Sequence, residues 1–247
     1  MRYFIHLAYN GSHYFGWQIQ HREISVQQTI TQAFSTLLKQ EIAITGAGRT
    51  DTGVHASSYY AHFDIDKCFS KEEIEQLVYR LNGFLPKDIV IYSIFPVALD
   101  AHARFSAMER TYRYYVTYKK NPFVLDRAYR IFYQPDIENM NRCCQELYAH
   151  TDFSAFSKSN TDTKTNDCTI TQAVWMEKGD LLVFEITANR FLRNMVRAIV
   201  GTLLEVGKKN LTKEDFREII LSKNRSKAGI SVPAHALFLE NVRYPFI

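Results

Sequence analysis

Helix-start signals alternate with strand-like runs along this chain, and their order leaves few architectures open. Ser25 stands ahead of Gln28, with Val26, Ile30, Phe34, Leu37 and Leu38 along one face. Ser70 stands ahead of Glu73, with Ile74, Leu77, Val78 and Leu81 behind it. Both have the form of a capping box followed by an apolar stripe of period 3.6. Asp136 opens a third helix, expected over 137–149, and Thr212 with Asp215 opens another over 212–222. A further helix, expected over 190–206, carries Leu192, Met195, Val196, Ile199 and Leu203. Strand-like runs at 2–9, 41–45, 57–64 and 89–95 give the first half the order strand, helix, strand, strand, helix, strand. That order is the ferredoxin-like one. Runs at 111–118, 128–133, 172–177, 181–188 and 237–244 give the second half a similar unit with one extra strand and one extra helix. The expectation is an α+β protein of two ferredoxin-like or RRM-like halves, 1–105 and 106–247, each a mostly antiparallel sheet with helices.

Composition narrows the class further. The chain has 247 residues, 46% of them apolar, so either half can bury a core. No apolar run approaches the ~20 residues of a membrane span, and the opening "MRYFIHLAYN" alternates like a strand rather than a signal peptide. A formal charge of +4 is weak evidence for a polyanionic partner. The cysteines (Cys68, Cys143, Cys144, Cys168) form no C-x-x-C, so a metal site is not expected. Unpaired thiols without an export signal suggest the reducing cytoplasm. Residues 157–169, "SKSNTDTKTNDCT", read as a mobile polar surface loop, with substrate contact as the alternative.

The stretch "GAGRTDTGVHA", 46–56, sets Asp51 among Gly46, Gly48 and Gly53. Gly46 and Gly48 begin a dinucleotide pattern, but Asp51 takes the third glycine's place and would repel a diphosphate. The G-K-[S/T] of a P-loop is missing as well. The residues alone leave two readings: a glycine-rich turn capped by Asp51, or a loop that lets a ligand close on that carboxylate.

Longer strings carry a resemblance. "GRTDTGVHA" resembles the G-R-T-D-A-G-V-H-A motif of the tRNA pseudouridine synthase A family. "YNGSHYFGWQIQ" (9–20), "NGFLPKDI" (82–89), "DAHARFSAMERTYRY" (100–114), "ANRFLRNMVRAIVGTLLEVG" (188–207) and "VPAHALFLENVRYP" (232–245) are similar to that family's other motifs, in its order. Thr52 replaces the family's usual Ala, Asn10 its Asp, and Ala236 its Gly. Cys168 stands where many relatives have an arginine before Thr-Ile, which puts in doubt a phosphate contact by the polar loop.

The resemblance implies isomerisation of uridine to pseudouridine at tRNA positions 38 to 40, by a homodimer that holds the anticodon arm in an active-site cleft between the halves. It implies no cofactor. Asp51 corresponds to the catalytic aspartate, expected as nucleophile. Tyr112 corresponds to the tyrosine that stacks on uracil, and Arg197 to the arginine that pairs with the aspartate. Sheet packing is the other reading of Tyr112, which shares a strand face with Tyr114 and Tyr118. Arg190, Arg193 and Arg197 fall on one face of the expected helix; a solvated face is the default reading, and the absence of acidic residues at i±4 favours a surface that meets phosphates or a buried carboxylate. Arg49, Arg104, Arg110 and Arg113 add basic groups by motif proximity. His55 and His102 form neither a triad nor a metal spacing and are read as loop supports. A zinc deaminase would need H-x-E…P-C-x-x-C, and a base-excising glycosylase a second catalytic carboxylate; neither pattern is present.

Overall fold

The computed structural model describes residues 1–158 and 165–247. Along the chain the elements are β1 (Arg2–Tyr9), α1 (Val26–Leu38), β2 (Thr45–Gly46), β3 (His55–Asp64), α2 (Lys71–Phe84), β4 (Ile89–Val97), β5 (Glu109–Thr117), β6 (Tyr129–Arg130), α3 (Ile137–Cys144), β7 (Ile170–Lys178), β8 (Leu181–Ala188), α4 (Met195–Gly207), α5 (Lys213–Ser222) and β9 (Leu237–Arg243). The protein is a mixed α+β chain whose strands pair mostly antiparallel; β6 on β5 is parallel. It divides into two compact units, Met1–Met108 with Leu239–Ile247, and Glu109–Phe238. The chain's last nine residues therefore return to the first unit, where the sequence reading had run the second half through to 247.

In the first unit β1 pairs with both β4 and β3, and β9 lies beyond β3. Alternate residues of β1 and β3 face the helices. Tyr3 stacks on Phe63 at 5.6 Å, and Phe63 meets Phe34 of α1 edge-on at 5.1 Å. Phe34 and Phe63 are fully buried, each stabilising the unit by about 1.5–3 kcal/mol relative to exposure. The Ser25 hydroxyl accepts from Gln28 N at 3.2 Å and caps α1. In α2 the box closes in both directions between Ser70 and Glu73.

In the second unit β8 sits between β5 and β7. Its helices are led by α4, in which 11 of 13 residues are buried, including Met195, Ile199, Val200 and Leu203. A helix apolar on all sides belongs inside a core. The box between Thr212 and Asp215 starts α5. The third helix is shorter than expected: α3 ends at Cys144 and continues as a 3-10 turn over Gln145–Ala149. Cys143 and Cys144 are buried within this unit. The polar segment 157–169 falls partly outside the described residues, which omit 159–164. No helix among the described residues is long and apolar enough to cross a membrane.

Candidate active site

Asp51 follows β2 in a loop that leads into β3, and a second loop, residues 10–17, grips it through the backbone. Trp17 N donates to Thr50 O (3.3 Å) and Gly53 N donates to Tyr14 O (3.3 Å). Gly11 N donates to His55 Nδ1 at 3.1 Å. The hydroxyls of Tyr9 and Thr50 lie 2.9 Å apart in the interior. A turn closed by Val54 N on Asp51 O (3.1 Å) completes the clamp, with Gly53 at φ +77°. Asp51 is half-buried, and its neighbour Thr50 is buried. Main-chain hydrogen bonds therefore fix the backbone on both sides of Asp51.

The glycines divide their work differently from the sequence reading. Gly16 has φ +82°, and a Cβ there would lie 2.3 Å from Thr50 O. It therefore allows the two loops to touch. Gly46 gives way to protein rather than to a ligand: a Cβ would lie 2.2 Å from the Tyr59 hydroxyl and 2.5 Å from the Trp17 ring. Trp17 and Tyr59 stack there at 4.1 Å, and the Tyr59 hydroxyl donates to Gly48 O at 2.5 Å. Around Gly48 the Cβ position is open. Trp17, Gly16, Tyr9 and Tyr59 are thus the supports that the sequence reading left without a role. For Tyr9, Gly16 and Trp17 the signal was available in "YNGSHYFGWQ", whose glycines and aromatics have no periodic explanation; Tyr59 lies in β3 and carries no such signal.

His55 is 2% exposed, and its Nδ1 accepts the Gly11 N–H, so this nitrogen carries no proton. His102 Nδ1 accepts from Arg104 N at 3.0 Å and Phe105 N at 3.3 Å. Both histidines hold loops, as the sequence reading had them. Arg49 and Arg104 are exposed, and the Arg104 guanidinium lies 5.4 Å from the Phe105 ring centre.

In the second unit Tyr112 projects from β5, opposite Ile186 of β8. It is half-buried and meets Phe191 edge-on at 5.1 Å and 87°. Its strand neighbour Tyr114 is the packing tyrosine: fully buried, it donates to Pro233 O at 2.9 Å. Tyr118 lies past the end of β5. Arg113 pairs with Glu185 at 2.6 Å and Arg110 Nη1 donates to Asn189 O at 2.8 Å, so both are engaged in the sheet.

The arginine face expected on one helix does not form as drawn. The helix α4 starts at Met195, after Asn194 in the left-handed conformation at φ +69°. Arg190 and Arg193 therefore precede it. Arg190 Nη1 reaches Thr165 Oγ1 at 3.4 Å, and Arg193 O accepts from Lys158 N at 3.1 Å. Of the three, only Arg197 is helical. It sits in the first turn, half-buried, with Nε donating to Val232 O at 2.7 Å. That bond fixes the plane of the guanidinium. Cys168 is 1% exposed, and burial pushes its thiol up to about 11. A buried thiol that stays protonated at neutral pH offers no charge to a phosphate.

The first unit thus presents a half-buried aspartate on a loop fixed by main-chain hydrogen bonds to a second loop. The family model for tRNA pseudouridine synthase matches residues 6–106 and 143–245. The chain is 53% identical over 247 residues to the tRNA pseudouridine synthase A of Parabacteroides distasonis, covering 99% of this chain and 96% of the relative. It is 53% identical over 246 residues to that of Porphyromonas gingivalis (99% and 97% covered), and 39% over 241 residues to that of Acetivibrio thermocellus (96% and 97%). The chain belongs to the tRNA pseudouridine synthase family and is an isomerase.

Proposed function

We propose that this enzyme isomerises uridine to pseudouridine at positions 38, 39 and 40 in the anticodon arm of tRNA, with Asp51 as its catalytic carboxylate and no cofactor. The observation that carries the reading is the half-exposed Asp51 on a loop clamped by Trp17, Tyr14 and Gly11. In the reaction the C1′–N1 bond breaks, the base turns, and C5 bonds to C1′. C5 then gives up its hydrogen, and N1 takes a proton.

One carboxylate suffices for this chemistry. A glycosidase needs two because an alkoxide leaves poorly and water must attack. Uracil leaves as an anion spread over N1, O2 and O4, and water must stay out. Three routes use the carboxylate: attack at C1′, giving a covalent adduct; removal of a ribose proton, giving a glycal; or stabilisation of oxocarbenium character at C1′.

In this reading Tyr112 stacks on the turned-out uracil, Arg197 pairs with Asp51 and keeps it ionised, and Arg49 and Arg104 meet the RNA. The Val232 anchor on Arg197 supports its part, because a guanidinium with a fixed plane aims a carboxylate as a lysine cannot. The same reading gives a homodimer working in the cytoplasm. The test uses unmodified tRNA tritiated at uridine C5, followed by mapping of the products. Tritium release with pseudouridine at 38 to 40 is expected. No release, or modification confined to other positions, overturns the proposal.

Tyr112 has its own expected result. Tyr112→Phe should keep most of the turnover, since the ring remains. Tyr112→Leu should lose roughly 5- to 150-fold, the worth of one stacked base at about 1–3 kcal/mol. If single-turnover rates for Leu matched wild type, Tyr112 would be a packing residue of β5.

A further inference from the structure

Three strings of the sequence meet at one node of the first unit, and one of them, "NGFLPKDI" (82–89), carries no group that the proposed reaction uses. It forms the end of α2 and the turn into β4. Leu85, ahead of Pro86, is extended at ψ 149° and ends the helix. Ile89 N then donates to Pro86 O at 3.0 Å, closing a turn that carries Asp88. The Asn82 side chain donates to Ile91 O and accepts from Ile91 N, both at 2.8 Å, so the helix end is tied to β4. Asp88 therefore stands on a turn fixed at both ends.

Asp88 holds the loop 10–17 twice. Its main-chain oxygen accepts from Asn10 N at 2.8 Å, and its Oδ1 accepts from the Tyr14 hydroxyl at 2.8 Å. Between those points the chain makes a 3-10 turn, Gly11–His13, capped by the Asn10 side chain, which accepts from Ser12 N. The segment 10–14 is thus a short arch pinned at both feet. That arch meets the chain on the C-terminal side of Asp51. Gly11 N donates to His55 Nδ1, Tyr14 O accepts from Gly53 N, and a Cβ on Gly11 would lie 2.0 Å from Val54 O. The rest of the loop has a different support, α1, through Val26 N on Gly16 O (3.2 Å) and Gln27 N on Trp17 O (2.9 Å).

Packing does not account for the Tyr14 hydroxyl. Tyr14 is 5% exposed, and a phenylalanine ring would fill the same space. A buried hydroxyl costs stability unless it is bonded, and a charged acceptor gives the stronger bond. Burial, with Asp88 adding to it, raises the phenol's pKa, so the hydroxyl keeps its proton and remains the donor.

We propose that Asp88 is a positioning residue for Asp51, acting through the Tyr14 hydroxyl to hold the arch 10–14 against residues 53–55. Its part is played through the backbone beyond Asp51, not on the RNA. The proposal rests on the reading of Asp51 as the catalytic carboxylate.

The test is single-turnover tritium release from C5-labelled tRNA, with the dissociation constant and melting curve of each variant, at a temperature where the variants are folded. Tyr14→Phe removes one oxygen and keeps the ring, so it carries the test even where an alanine at 88 prevents folding. It should slow release by roughly 10- to 100-fold, the scale of a 1 Å misplacement of a catalytic group, with tRNA affinity within about twofold of wild type. Asp88→Ala should slow release to the same extent. The double variant should be no slower than either single one, because both remove one bond. Asp88→Asn keeps an acceptor oxygen for the phenol and should recover most of the Ala loss. A wild-type release rate in Tyr14→Phe overturns the assignment. So do losses that multiply in the double variant, a loss confined to tRNA affinity, or an Asn variant as slow as Ala. Asp51→Asn, run beside them, keeps the two readings apart. If it turns over at close to the wild-type rate, the catalytic reading of Asp51 falls and the positioning role with it. An inactive Asp51→Asn beside a fully active Tyr14→Phe removes the positioning role alone.

Discussion

Asp51→Asn should release tritium from C5-labelled tRNA at a rate lowered by roughly 10⁴-fold or more, a loss of about 5 kcal/mol of transition-state stabilisation. Asparagine fills the same space, and the groups that hold this segment are mostly backbone: Thr50 O, Gly53 N, and Val54 N on Asp51 O. The fold and the affinity for tRNA should therefore survive. What is lost is the negative charge and the nucleophilic or basic oxygen, which an amide does not replace at either C1′ or the ribose proton. Single-turnover measurement on bound tRNA separates this outcome from a binding defect. An Asp51→Asn protein that binds and turns over within tenfold of wild type would place the chemistry on another residue.

Gly16→Ala should be nearly as damaging although it touches no substrate. At φ +82° an alanine is strained by about 1–2 kcal/mol. Its Cβ would also meet Thr50 O at 2.3 Å, a backbone atom that cannot swing aside as a side chain would. Overpacking of that kind adds about 1–3 kcal/mol. The contact relaxes only if loop 10–17 lifts from the Asp51 loop, breaking the bonds from Trp17 N to Thr50 O and from Gly53 N to Tyr14 O. The expected result is a melting temperature lower by on the order of 10 °C together with a fall in turnover that exceeds the fall in tRNA affinity. Gly48→Ala is the control, since the Cβ position there is open. Equal melting and turnover in the Gly16 and Gly48 variants would show that the clamp does not position Asp51.

Family membership and the place of Asp51 in its motif were legible in the letters, because both are strings of neighbouring residues. The starts of α2 and α5 were legible for a related reason: a box closes between residues three apart, and no other part of the chain is needed. The order of strands and helices followed from periodicity, which is also local.

Only the tertiary structure decided the rest. The start of α4 is set by Asn194, held in the left-handed region with its amide on Ser231 Oγ at 2.6 Å, and that contact spans 37 positions. Apolar spacing continued through Leu192 and gave no warning of it, so Arg190 and Arg193 were placed on a helix they precede. The Arg197 anchor on Val232 O spans 35 positions, and the return of 239–247 to the first unit spans most of the chain. Gly46 looked like room for a ligand until Trp17 and Tyr59, 29 residues behind and 13 ahead of it, filled the space. A glycine in sequence states only that a side chain is absent. Which atoms use the vacancy depends on the packing of segments far apart in the chain, and no local pattern encodes that.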